Sequence, residues 1–138
     1  MAELTERIAR ILRHEKATTS VHSDVAEVLA LKSGVCQDFA HVLIAACRHL
    51  EIPARYVSGY IYGGPSAGHE SHAWVEVWLQ GQGWQGFDPT QPIRVGDRHV
   101  KVAVGRDYSD CAPTRGMSVG NRGRSTMEAE VKVREADA

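Results

Sequence analysis

Residues 72 to 88 constrain the fold more than any other stretch of the chain. His72 to Leu79 alternates, with Ala73, Val75, Val77 and Leu79 on one face and His72, Trp74 and Trp78 on the other. A period of two is the pattern of a β-strand. Gly81-Gln82-Gly83 follows as a turn, and Trp84 to Asp88 returns as a second strand closed by Pro89. If Gln80-Gly81-Gln82 is a three-residue connection, Leu79 faces Gly83 and Trp74 faces Asp88. His72 is then a diagonal neighbour of Asp88 on the same face, within reach of a carboxylate. A slip of one residue would put the two on opposite faces.

Helical patterns come before this hairpin. Leu4, Ile8, Ile11 and Leu12 give one buried face. Ser23 is placed to cap a short helix from Asp24 to about Leu31, and Lys32-Ser33-Gly34 breaks it. A longer helix is expected from near Val35 to Leu50, with Phe39, Val42, Leu43, Ala46, Cys47 and Leu50 on one broad face and Pro53 ending it. Arg55 to Tyr62 reads as a strand, and Gly63 to Gly68 as a loop. Val100 to Val104 is a further short strand. Asp107 to Gly123 is loop-rich, and Met127 to Val133 alternates as a last strand with one wet face. Helices followed by a mostly antiparallel meander give an α+β fold.

The chain has 138 residues, enough to bury a core without staples. A single domain over 1–138 is expected, with N-terminal helices in 1–32, a core in 33–92 and C-terminal strands in 93–138. Net charge is −1, so no electrostatic footprint for nucleic acid or an acidic membrane is present. The first residues lack the layout of a signal peptide. Three cysteines, Cys36, Cys47 and Cys111, are too few and scattered for a disulfide framework, which fits a reducing, cytoplasmic setting.

Acyl transfer by a thiol needs a thiolate, a histidine that moves the proton, and a group that fixes the histidine. Cys36 stands at the predicted first turn of the long helix, where unpaired N–H groups and partial positive charge favour a thiolate. The commonest fate of cysteine is burial as a small hydrophobe, and Cys47, mid-helix on the apolar face, reads that way. His72 opens a rigid strand beside a glycine-rich loop; the ordinary alternative is a hydrogen-bonded surface histidine. Asp88 ends the return strand; its ordinary role would be to cap a turn. His69 lies near His72, in the loop.

Five stretches, in order along the chain, also resemble one family. Gly34-Val35-Cys36-Gln37-Asp38-Phe39-Ala40 is similar to the nucleophile motif of the transglutaminase-like superfamily, in its bacterial cysteine protease form. Ser71 to Trp78 resembles its histidine strand, and Gly83 to Thr90 its aspartate segment. Ile52 to Tyr60 resembles the strand between the first two motifs, and Val102 to Tyr108 the region after the triad. The resemblance implies a papain-like core, with the nucleophile helix packed on an antiparallel sheet. It implies a catalytic triad of Cys36, His72 and Asp88 that attacks a carboxamide and forms a thioester, with no cofactor and no metal. The implied partner is a peptide or protein amide. The Cys36 N–H would serve the oxyanion, with Gln37 and Trp74 as further residues of the oxyanion site or substrate cleft. Larger members place a tryptophan upstream of the nucleophile, and none precedes Cys36. Bacterial members often carry a β-domain ahead of the core, so this chain is expected to be a shortened member or an excised domain. A homo-oligomer is a further expectation, because the tail from Ser118 to Ala138 could pair at the sheet edge or exchange between chains.

Two other readings are weighed against this one. A binding module could keep the fold without the chemistry. A metal site of Cys36, His69 and His72 would lack the paired cysteines that make such spacing specific. Trp74 and Trp78, on the face of His72, read either as an apolar wall for substrate or as sheet packing.

Overall fold

The protein is described by a computed structural model, which covers residues 1–64, 70–113 and 130–134. Its elements in chain order are α1 (Ala2–Ile11), β1 (Arg13–His14), α2 (Val25–Leu31), β2 (Ser33–Gly34), α3 (Cys36–His49), β3 (Ala54–Ile61), β4 (Ser71–Leu79), β5 (Gly83–Asp88), β6 (Ile93–Arg94) and β7 (His99–Gly105), followed by a 3-10 turn at Tyr108–Asp110. The fold is α+β, as expected. Among the described residues no helix is long and apolar enough to cross a membrane.

The middle of the molecule is α3. One side packs on β3 and β4, and α1 and α2 cover the other. This explains why its burial is broader than one face. Phe39, Val42, Leu43 and Cys47 are buried as expected, and so are Ala40 and Ile44. Leu50, at the helix end, faces solvent instead. Each fully buried side chain of this size stabilises the fold by about 1.5–3 kcal/mol, so α3 carries much of the core.

Both ends of α3 are set by local chemistry. At the start, Asp38 Oδ2 accepts from the Val35 N–H at 2.8 Å and from the Thr19 hydroxyl at 2.6 Å. Valine has no side-chain acceptor, so this is half of a capping box; the Asp38 N–H returns to the Val35 carbonyl at 2.9 Å. Gly34 makes the arrangement possible, because a Cβ there would stand 2.5 Å from Asp38 Oδ2. At the other end Glu51 takes a left-handed φ of 56°. The Ile52 N–H then reaches the Cys47 carbonyl at 2.8 Å and the Glu51 N–H the Arg48 carbonyl at 3.0 Å. That is a Schellman closure without its usual glycine, with Pro53 just beyond.

The sheet is antiparallel, with strand order β6-β5-β4-β3-β7. The sequence pattern predicts a meander, and β3 to β6 keep that order. β7 departs from it by crossing back to the free edge of β3, with a register shift at Ser58/Gly59. Ala73, Val75, Val77, Tyr56 and Phe87 join the core with α3. On the opposite face Glu76 ties three strands together, bonding Arg55 of β3 and Lys101 of β7, both at 2.6 Å in their ion pairs. Arg55 also lies 4.1 Å from the Trp84 ring centroid, a cation–π contact.

Several local expectations need correction. Asp24, not Ser23, caps α2, accepting from the Glu27 N–H at 2.8 Å; the Ser23 hydroxyl instead takes the Ser20 N–H. A two-rung parallel pairing of β1 with β2 steadies the chain just before Cys36. The alternation of 127–133 does not make a strand where it is described: residues 130–134 are in neither helix nor strand, and 127–129 lie outside the described residues. Alternation supplies a two-faced ribbon, but a strand also needs an edge to pair with.

The start of α3 depends on one contact, which two substitutions remove from opposite sides. Asp38→Ala deletes the acceptor, and Gly34→Ala pushes it away. Each is expected to lower stability by about 1–2 kcal/mol. Because the contact is shared, the double variant should lose much less than the sum; urea denaturation of the three proteins measures this.

Candidate active site

The hairpin register is the one expected: Leu79 pairs with Gly83, and the ladder runs to Val75 with Phe87. One further step sets Trp74 opposite Asp88. His72 and Asp88 therefore project from the same face, and His72 Nε2 lies 2.7 Å from Asp88 Oδ2. Asp88 is 0% exposed. Its Oδ1 accepts the N–H groups of Thr90 at 2.9 Å and Gln91 at 3.4 Å, an Asx-type turn that ends β5. The turn-capping role and the histidine contact thus belong to the same carboxylate, one oxygen each.

The charges follow from these contacts. Burial alone would raise the Asp88 pKa, but the His72 bond and charge, then the His99 bond and the Thr90 N–H, more than offset it and hold the carboxyl below its usual range. Burial alone would lower His72. The bond to Asp88 and the nearby Cys36 overcome this and bring His72 up to about 9. At neutral pH the pair is an imidazolium on a carboxylate.

Cys36 is the first residue of α3 and is partly exposed. It lies near enough to His72 to contribute to raising the His72 pKa. The other two thiols are in different surroundings. Cys47 is buried mid-helix, where burial pushes it up to about 11, so it stays a neutral thiol. Cys111 is buried with its Sγ 4.0 Å from the Tyr56 carbonyl.

The remaining sequence candidates are placed as follows. Gln37 is buried, and its side-chain amide donates to the Val21 carbonyl at 3.4 Å, anchoring the segment before α2 to α3. Trp74 is 1% exposed and offers a substrate no surface. It lies beneath the histidine, with ring centroids 6.2 Å apart and planes 29° apart. Trp78 and Trp84 are 46% and 37% exposed but pack on each other, at the opposite end of the hairpin from His72. At about 3.3 Å per residue, Trp78 is roughly 20 Å along β4 from His72. The tryptophans are therefore sheet packing and not an apolar wall at the thiol. His69 lies outside the described residues.

The structure also brings in a residue that pattern reading passed over. His99, the first residue of β7, points Nε2 at Asp88 Oδ2 from 3.3 Å. Nothing in its local pattern separates it from the other histidines of the chain; only the crossing of β7 to β3 brings it here. His72, Asp88 and His99 offer three donor atoms within 4.8 Å of one another, a set that could hold a metal ion. Asp88 Oδ2 already accepts from both rings, so a cation there would have to displace both protons.

Comparison with known proteins agrees with this architecture. The chain is 39% identical over 122 positions to an uncharacterised protein of Mycobacterium leprae, covering 84% of this chain and 43% of that one. It therefore spans less than half the length of that relative. It is 37% identical over 70 residues to a protein-glutamine gamma-glutamyltransferase of Pseudomonas aeruginosa, covering 45% of this chain and 10% of that one. Among solved structures, a proposed cysteine protease from Cytophaga hutchinsonii superposes with a TM-score of 0.71 at 34% identity, over 80% of this chain and 37% of that chain. The periplasmic domain of TgpA from Pseudomonas aeruginosa superposes with a TM-score of 0.52 at 30% identity, over 67% and 37% of the two chains. The sequence profile of the transglutaminase-like superfamily matches residues 2–89. By that match the chain belongs to the transglutaminase-like superfamily and has its cysteine-based catalytic fold.

Proposed function

We propose that this protein is a thiol-dependent acyl-transfer enzyme acting on amide bonds of peptides or protein side chains, with Cys36, His72 and Asp88 as its triad. Hydrolysis is the leading outcome and transfer to an amine the second. The observation that carries this reading is the 2.7 Å bond between His72 and a fully buried Asp88, with Cys36 near enough to shift the same histidine.

In this reading the Cys36 thiolate attacks the carboxamide carbon, and the carbonyl electrons move to oxygen. The Cys36 backbone N–H supports the oxyanion; as the first N–H of a helix it has no partner within α3. His72 gives its proton to the departing ammonia or amine as the C–N bond breaks, leaving a thioester on Cys36. Water, or an amine, then adds to the thioester carbonyl and loses a proton to His72. Collapse breaks the C–S bond, releases acid or new amide, and restores the thiolate–imidazolium pair. Asp88 keeps Nε2 of His72 occupied, which leaves the other ring nitrogen for the thiol.

Three measurements test this. Iodoacetamide should modify Cys36 at neutral pH at least about tenfold faster in the native protein than in His72→Ala; equal rates would leave a binding module as the better reading. Acylation by a glutamine-donor peptide needs His72 as an acid. The protonated form is present below about pH 9 and is lost above it, so the rate should fall through about 9. In Asp88→Asn this alkaline limb should move down toward about 6.5, the value of an unperturbed histidine. Finally, the same donor peptide with and without a primary amine separates the two outcomes. Release of ammonia with no amine incorporation assigns hydrolysis, and incorporation assigns transfer.

A further inference from the structure

We propose that His99 is a positioning residue that sets the plane of the Asp88 carboxylate for His72, a role that rests on the acyl-transfer reading above.

The tautomer of His99 follows from its contacts. Its Nδ1 accepts the Gly96 N–H at 3.4 Å. A ring nitrogen that accepts carries no proton, so a neutral His99 holds its proton on Nε2 and donates to Asp88. The side chain is only 4% exposed. Its ring stands edge-on to Trp74 at 5.1 Å and 81°, so it cannot swing away freely.

The carboxylate has a use for this second donor. Oδ1 is pinned by two backbone N–H groups of the turn, both on its own strand's exit. These fix where the group sits but leave Oδ2 free to turn about the pinned end. His72 bonds Oδ2 from β4, and the proton shuttle requires that His72 itself tilt toward thiol and leaving group in turn. His99 holds the same oxygen from a separate strand, β7. At 3.3 Å its bond is longer than the 2.7 Å bond of His72, so His72 keeps the dominant contact and His99 steers it. Space for the arrangement comes from β3. A Cβ at Gly59 would lie 2.1 Å from the Val100 carbonyl and 2.6 Å from the Trp74 ring. Glycine at this position leaves room for Trp74 to pack against both histidines and lets β7 close in.

The test uses the alkylation rate of Cys36 at neutral pH, read by peptide mass spectrometry. Protection of the buried Cys47 and Cys111 reports that each variant is folded. His99→Leu should slow Cys36 alkylation about fivefold, the effect of one net hydrogen bond. His99→Gln keeps an N–H near the Nε2 position and should restore most of the rate. With Asp88→Ala already in place, His99→Leu should add no further loss, because it acts only through that carboxylate. If His99→Leu exposes Cys47, His99→Asn takes its place, since its amide falls short of Asp88. Equal losses in His99→Leu and His99→Gln, additive losses with Asp88→Ala, or an unchanged rate in His99→Leu while Asp88→Ala is slow would each overturn the proposal and leave the triad standing. A native rate in Asp88→Ala would overturn the triad reading, and this proposal with it.

Discussion

A carboxylate with no access to water has to find its partners inside the protein, and Asp88 finds them in four places. Two are N–H groups of its own turn, one is a ring on β4 and one a ring on β7. Removing any of these leaves part of a buried charge unanswered. The end of β5, the tilt of His72 and the approach of β7 are therefore not independent features. They are linked through one side chain, and the two histidines differ in how tightly each is bound to it.

The thiol side of the site is built by a different economy of space. α3 begins where it does because Asp38 can fold back onto Val35, and Asp38 can do so because Gly34 has no side chain. The β1–β2 pairing brings the N-terminal segment alongside Ser33 and Gly34, and Thr19 closes over Asp38. Cys36 is thus fixed by its neighbours on the chain and by a short stretch from the N-terminal region. Its partner histidine is fixed by the sheet. The contact between them is the junction of two separately determined pieces, and the broad burial of α3 against both layers holds that junction in place.

The two faces of the sheet do different work. The face toward α3 is apolar and supplies the core. The other carries His72, Trp74, Glu76 and Trp78 along one strand, grading from the candidate site to a salt-bridged, partly exposed end. Trp74 marks the transition: it is as buried as any core residue, yet it lies under the histidine and not under the helix.

Much of this was legible from residue order alone, because the signals were local. Alternation over 72–79 and 84–88 with a three-residue turn fixed the register, and the register fixed that His72 and Asp88 share a face. Glycine before and proline after placed the ends of α3 to within a residue. The cap of α2 falls one residue later than the pattern suggests, because serine and aspartate are both good caps and only the backbone angles decide between them. Other features depended on contacts between distant segments, which no local pattern encodes. The return of β7 to the far edge of β3 is one. The burial of Trp74 over Gly59 is another, since a tryptophan alternating on a strand looks the same whether its face is covered or open. His99 is the clearest case. Its neighbours on the chain describe an ordinary strand start, and its place beside Asp88 exists only because two strands far apart in sequence pair with β3 from opposite sides.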